Sequence, residues 1–128
     1  MKAKPVVAIV DDESAVRHAF KRLFRSVGLD AETFASGTEF LNSLAERRPD
    51  CLVLDLHMQG LSGFEVYARL ADANDPLPVV IVTGRDSPEA RKRVADVGPA
   101  AYLTKPVDDG VLLNAVTAAI AGEPQPLK

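Results

Sequence analysis

Five short apolar runs, each followed by an amphipathic stretch, recur along this 128-residue chain, and that alternation leaves few folds open. The runs are four or five residues long and rich in β-branched side chains, which is the signature of strands. The stretches between them repeat apolar residues at three- and four-residue steps, which is the signature of helices. Strands that alternate with helices pair in parallel, and parallel strands covered by helices lie buried on both faces. The expected fold is an α/β domain around one core, for which this length is sufficient.

The first strand is Val6-Val7-Ala8-Ile9-Val10, and it runs into Asp11-Asp12-Glu13. A helix follows, with Val16, Ala19, Phe20, Leu23, Phe24 and Val27 on its apolar face and Gly28 placed to stop it. The second strand spans about Asp30 to Phe34; Ser36 then opens a helix with Glu39 as the return arm of a capping box, and Pro49 closes that helical region. The third strand, Cys51 to Asp55, is apolar at nearly every position, and Ser62 with Glu65 repeats the capping signal for a helix to about Asp72. Val79-Val80-Ile81-Val82-Thr83 is the fourth strand, and Ser87-Pro88 caps a helix that ends near Gly98. The fifth strand is about Ala101 to Thr104, and after Lys105-Pro106 a last helix carries Val107, Leu112, Leu113, Val116 and Ile120. The domain is expected to span residues 1–121, with 122–128 a tail or the start of a linker because Pro124 and Pro126 cannot continue the helix.

A net charge of −3 lacks the basic surface that neutralises many phosphates, so direct nucleic-acid contact by this domain is not expected. Cys51 is the single cysteine, has no partner for a disulfide or thiolate metal site, and reads as a small buried hydrophobe. No apolar run approaches the ~20 residues of a membrane span, and no signal-peptide pattern opens the chain; a cytoplasmic location without membrane contact is expected.

Ligands of open parallel α/β sheets bind beyond the carboxyl ends of the strands, so those ends carry the chemistry. They present Asp11 and Asp12, Asp55, Thr83 and Lys105. Three carboxylates in one crevice repel one another, and a hard divalent cation such as magnesium, with its preference for oxygen ligands, relieves that repulsion. Thr83 adds a hydroxyl donor and Lys105 a positive charge, both suited to phosphoryl oxygens. The five together describe a phosphoryl-transfer site with Asp55 as nucleophile, since a carboxylate at a central strand end can attack phosphorus in line.

The stretches Val10-Asp11-Asp12-Glu13, Leu54-Asp55-Leu56-His57-Met58, Gly60-Leu61-Ser62-Gly63, Val82-Thr83-Gly84 and Tyr102-Leu103-Thr104-Lys105-Pro106 resemble, in order and spacing, the receiver domain of bacterial two-component response regulators, most closely those attached to helix-turn-helix output domains. The resemblance covers essentially the full length. It implies a flavodoxin-like, doubly wound, five-stranded parallel sheet of order 2-1-3-4-5 with five helices. It implies that Asp55 accepts phosphate from a phosphohistidine on a sensor histidine kinase. Magnesium, or manganese in its place, would be held by Asp12, Asp55 and the backbone carbonyl of His57, with Asp11 acting through water. Thr83 and Lys105 would bind the phosphoryl group. Thr83 and Tyr102 would form a switch toward the face of helix four, strand five and helix five, where a second copy or an output domain is expected to dock. In related receivers the peptide between Lys105 and Pro106 is often cis.

The sequence departs from its relatives at three positions. His57 stands where those with helix-turn-helix outputs often carry arginine, Gln59 where proline is usual, and Pro99 where alanine is usual. Gln59 is expected to loosen the loop after strand three, and Pro99 to stiffen the approach to strand five. His57 and Arg85 are candidates for setting the lifetime of the phosphorylated form. Arg91-Lys92-Arg93 reads as a solvated helix face that could pair with an acidic face of a second copy.

Three rival readings fit less well. A flavodoxin would need a neutral loop where Asp11-Asp12-Glu13 stands. A phosphatase of the haloacid dehalogenase type would place an acidic residue where His57 is. A receiver-like module acting only by protein binding would have no use for a complete site. The expected chemistry is confined to the chain's own phosphorylation and dephosphorylation, not turnover of an external substrate.

Overall fold

The apolar runs pair side by side as expected. In a computed structural model that describes residues 4–73, 77–98 and 101–122, they become β1 (Val6–Val10), β2 (Asp30–Phe34), β3 (Cys51–Asp55), β4 (Val79–Thr83) and β5 (Ala101–Thr104). Between and after them run α1 (Ser14–Ser26), α2 (Gly37–Ser43), α3 (Gly63–Asp72), α4 (Pro88–Val97) and α5 (Asp109–Ala121). All four strand pairings are parallel and the order is β2-β1-β3-β4-β5.

Alternate strand residues point to opposite faces, and this divides the interior in two. Ala8, Val10, Leu52, Leu54, Val79 and Ile81 pack with Phe40, Val66, Leu70 and Val94, so α2, α3 and α4 cover one face. Val7, Ile9, Cys51, Val53, Val80 and Val82 pack with Phe24, Leu112 and Val116, so α1 and α5 cover the other. The single expected core is therefore a pair of layers separated by the sheet. Each fully buried Val, Leu or Ile contributes about 1.5–3 kcal/mol. Every residue of β3 and β4 is buried, whereas β2 and β5, at the two edges, are mostly half-covered.

The caps follow the sequence with one variation. Ser62 and Glu65 form a complete capping box, and Ser87 accepts the Ala90 N–H with Pro88 in the first turn. Ser36 caps α2 by accepting from Glu39, but the Glu39 carboxylate returns to the N–H of Ala35, one residue before the cap. That helix stops at Ser43, well before Pro49. On α1 the apolar face is narrower than its periodicity predicts: Ala19 is exposed, and Val27, already past the last turn, is 52% exposed. Val107 precedes α5, whose cap is Asp108, and packs on the α1/α5 core from outside the helix. The expectations for Pro99 and for the tail beyond Gly122 fall outside the described residues.

Candidate functional site

Register brings the strand-end residues together. Val10 pairs with Leu54, so Asp11 and Asp55, each one step further, stand side by side where the strand order reverses between β1 and β3. Thr83 pairs with Thr104, and the Lys105 N–H donates to the Thr83 carbonyl at 2.8 Å, which carries the lysine to the same edge. Ligand oxygens of Asp11, Asp12 and Asp55 all lie within 4.8 Å of one another. Among the described residues Asp11, Asp55 and Thr83 are the buried polar ones, while Asp12 is exposed. The Lys105-Pro106 peptide is cis.

The three carboxylates are not equally occupied. Asp11 Oδ1 accepts the Glu13 N–H at 2.9 Å, its Oδ2 accepts from Lys105 Nζ at 2.9 Å, and its carbonyl accepts from Arg17 at 2.8 Å. Asp55 has only a long 3.4 Å bond from the His57 N–H and an ammonium at 3.8 Å. Burial pushes Asp55 up to about 6; Lys105 and the His57 N–H oppose that, and the charges of Asp11 and Asp12 add to it. Lys105 is held above its ordinary range: burial works against its charge, but its hydrogen bond to Asp11 and the fields of Asp55, Asp11 and Glu13 prevail. Of the two buried carboxylates, Asp55 is thus the one whose lone pairs are less committed. One ammonium faces Asp11, Asp55 and Glu13, Asp12 adds a further carboxylate beside them, and an all-oxygen donor set with this surplus of negative charge fits a hard divalent cation.

The surrounding residues are arranged as follows. The Gln59 N–H, which a proline would lack, donates to Asp12 Oδ2 at 3.4 Å. The His57 ring stands edge-on to Phe64 with centroids 5.8 Å apart, and its buried Nε2 has no hydrogen-bond partner among the described residues. Arg85 is exposed, and its N–H donates to Thr83 Oγ1 at 3.1 Å. Tyr102 is half-buried on β5. Arg91, Lys92 and Arg93 are exposed as expected but none is free: Arg91 pairs with Asp86, Lys92 with Asp96, and Arg93 lies 3.8 Å over the Phe64 ring.

Two residues of the site escaped the sequence reading. Arg17 lies off the apolar face of α1 and carries no motif signal, yet it reaches back to the Asp11 carbonyl. Gly63 appears only within a matching stretch, yet a Cβ there would run into the Asp55 carbonyl oxygen and come within 2.6 Å of Leu56 Cα. Its lack of a side chain lets α3 begin directly against the end of β3.

The model of the response regulator receiver domain matches residues 7–117. The chain belongs to the response regulator receiver domain family. It is 37% identical over 121 residues to the response regulator protein TmoT of Ectopseudomonas mendocina, covering 94% of this chain and 54% of that protein. A response regulator receiver protein from Burkholderia phymatum superposes with a TM-score of 0.79 at 41% identity, covering 97% of this chain and all of that one. The Vibrio cholerae chemotaxis protein CheY4 superposes with a TM-score of 0.84 at 27% identity, covering 91% and 99%. The chain spans about half the length of the curated relatives it matches. Family membership implies two-component signalling, in which receivers work with sensor kinases and output domains. No helix among the described residues is long and apolar enough to cross a membrane.

Proposed function

We propose that this receiver is switched by phosphorylation of Asp55. The observation that carries the reading is the underused Asp55 carboxylate, buried beside Asp11 and Asp12 with the Lys105 ammonium 3.8 Å away. An Asp55 oxygen attacks the phosphorus of a phosphohistidine on a sensor histidine kinase; an O–P bond forms, the N–P bond breaks, and the imidazole leaves with the electron pair. Water later attacks phosphorus, releasing inorganic phosphate and restoring the carboxylate. Lys105 and the Thr83 hydroxyl stabilise charge on the phosphoryl oxygens in this reading. Asp11, Asp12, Asp55 and the His57 carbonyl would hold magnesium or manganese, which supplies charge neutralisation when bound. The chain catalyses only these two reactions on itself and is no enzyme toward outside substrates.

The output is control of the α4, β5 and α5 face, for dimerisation or for an output domain that regulates transcription, in the cytoplasm and without direct nucleic-acid contact. His57 and Arg85 are assigned a role in phosphoryl lifetime, tested by phosphate decay in their alanine variants; unchanged decay in both would remove that role. The test of the main reading is intact mass after incubation with acetyl phosphate. A phosphoryl gain is expected in the native chain with magnesium. None is expected with a chelator or in Asp55→Asn. Equal gain in Asp55→Asn would overturn the assignment, and no gain anywhere would favour a module that acts by protein binding alone.

A further inference from the structure

We propose that Arg91 is a positioning residue: anchored through Asp86 on the loop whose Arg85 N–H the Thr83 hydroxyl accepts, it clasps the Tyr102 ring and so biases the Thr83 and Tyr102 switch that the family resemblance implies. This rests on the phosphorylation reading above. The connection is continuous. Thr83 Oγ1, fully buried at the strand end, accepts the Arg85 N–H at 3.1 Å. Asp86, the next residue, takes two hydrogen bonds from the Arg91 guanidinium, at 2.9 and 3.0 Å. That guanidinium lies 4.6 Å from the centroid of the Tyr102 ring. The Tyr102 hydroxyl beneath is buried near the Asp86 carboxylate, and burial and that carboxylate both oppose its ionisation. Tyr102 thus has the guanidinium over its face, and the carboxylate that holds that guanidinium lies near its hydroxyl.

The clasp is weak, and its weakness matters. The side chains of Arg91 and Asp86 are 43% and 38% exposed, so the ion pair is screened by solvent and adds little to stability. A cation over an aromatic face at an exposed site is likewise a small contribution. A phosphoryl group that draws the Thr83 hydroxyl to itself leaves the Arg85 N–H without its acceptor. The loop carrying Asp86 is then free to shift, and Arg91 shifts with it. A clasp of this strength biases Tyr102 without locking it, which a two-state element requires.

The test uses the whole chain with ring-labelled tyrosine, by NMR, first without any phosphoryl donor. The δ-methylene protons of Arg91 should be shifted upfield by the Tyr102 ring in the native protein. Arg91→Ala, Asp86→Asn and Thr83→Val should each move the Tyr102 ring resonances, and Arg91→Lys should restore them in part because it keeps the charge without the planar fork. Lys92→Ala, whose partner is Asp96, should leave them in place. In a second arm, Arg91→Ala should accumulate phosphoprotein from acetyl phosphate about threefold to fivefold faster than native or Lys92→Ala protein, as loss of one weak clasp predicts. Tyr102 resonances unmoved by Thr83→Val or Arg91→Ala would overturn the link, even if Asp55 is phosphorylated normally. Equal accumulation in Arg91→Ala and native protein would overturn the clasp's part in activation. Absence of phosphorylation in every protein, native included, would instead count against the reading of Asp55 while the first arm still decides the link.

Discussion

Lys105 Nζ donates to Asp11 Oδ2 at 2.9 Å across 94 residues of sequence, joining the end of β5 to the end of β1 over the top of β3 and β4. The same ammonium stands 3.8 Å from Asp55. It is the positive charge that makes a crowded group of carboxylates tolerable before any cation or phosphoryl group arrives.

Lys105→Ala leaves Asp11 buried with one oxygen unpaired. Allowing for the partial exposure of the lysine, the variant should lose about 1–2 kcal/mol in chelator, read by urea unfolding. Magnesium should return part of that loss. Phosphorylation by acetyl phosphate should slow by at least about tenfold, equivalent to ~1.4 kcal/mol of transition-state stabilisation.

Asp55→Asn should stabilise the metal-free domain. Burial first, then the charges of Asp11 and Asp12, lift the carboxyl to about 6, above its unfolded value of about 3.9, so the ionised form is penalised in the fold. The penalty is absent below the unfolded value and grows as pH rises through 6. In chelator at pH 7 the variant should be more stable than native by about 1–3 kcal/mol, and the gap should close toward pH 4. Urea unfolding across that range checks the sign; a gap independent of pH would contradict it.

Gly63→Ala should be costly although it adds one methyl group. The new Cβ meets backbone of Asp55 and Leu56, which cannot turn aside as a side chain could. A loss of about 1–3 kcal/mol in urea unfolding is expected, the range for overpacking, with slower phosphorylation because β3 must shift where it carries the acceptor.

Cys51 should be silent to thiol reagents in the native state. Its side chain is fully buried, and burial pushes the thiol up to about 12. Labelling by a disulfide reagent should appear only with unfolding.

The strands were the most legible part of the chain, and the reason is physical. Parallel strands buried on both faces must be apolar at every step, so Cys51–Asp55 and Val79–Thr83 could be bounded to the residue. Helix limits depend on longer-range packing. Val27 has the right period but no neighbouring element to cover it, and Pro49 marks the turn before β3, not the end of α2. Among the site residues, Asp11, Asp12, Asp55, Thr83 and Lys105 were readable because topology sends strand ends to one edge. Gly63 was not, since a missing side chain leaves no mark until its neighbours are known. Arg91 and Asp86 were hidden too, because a charge run reads as a solvated face whatever its individual side chains touch.

The central claim is that Asp55, and neither Asp11 nor Asp12 within the same 4.8 Å cluster, carries the phosphoryl group. Borohydride reduces an aspartyl phosphate to homoserine, so treatment after acetyl phosphate and magnesium, followed by peptide mass mapping, marks the acceptor itself. The account predicts homoserine at position 55 alone, dependent on the divalent cation and absent from Lys105→Ala at short times. Homoserine at position 11 or 12 in the native chain, with Asp55 unmodified, would contradict it.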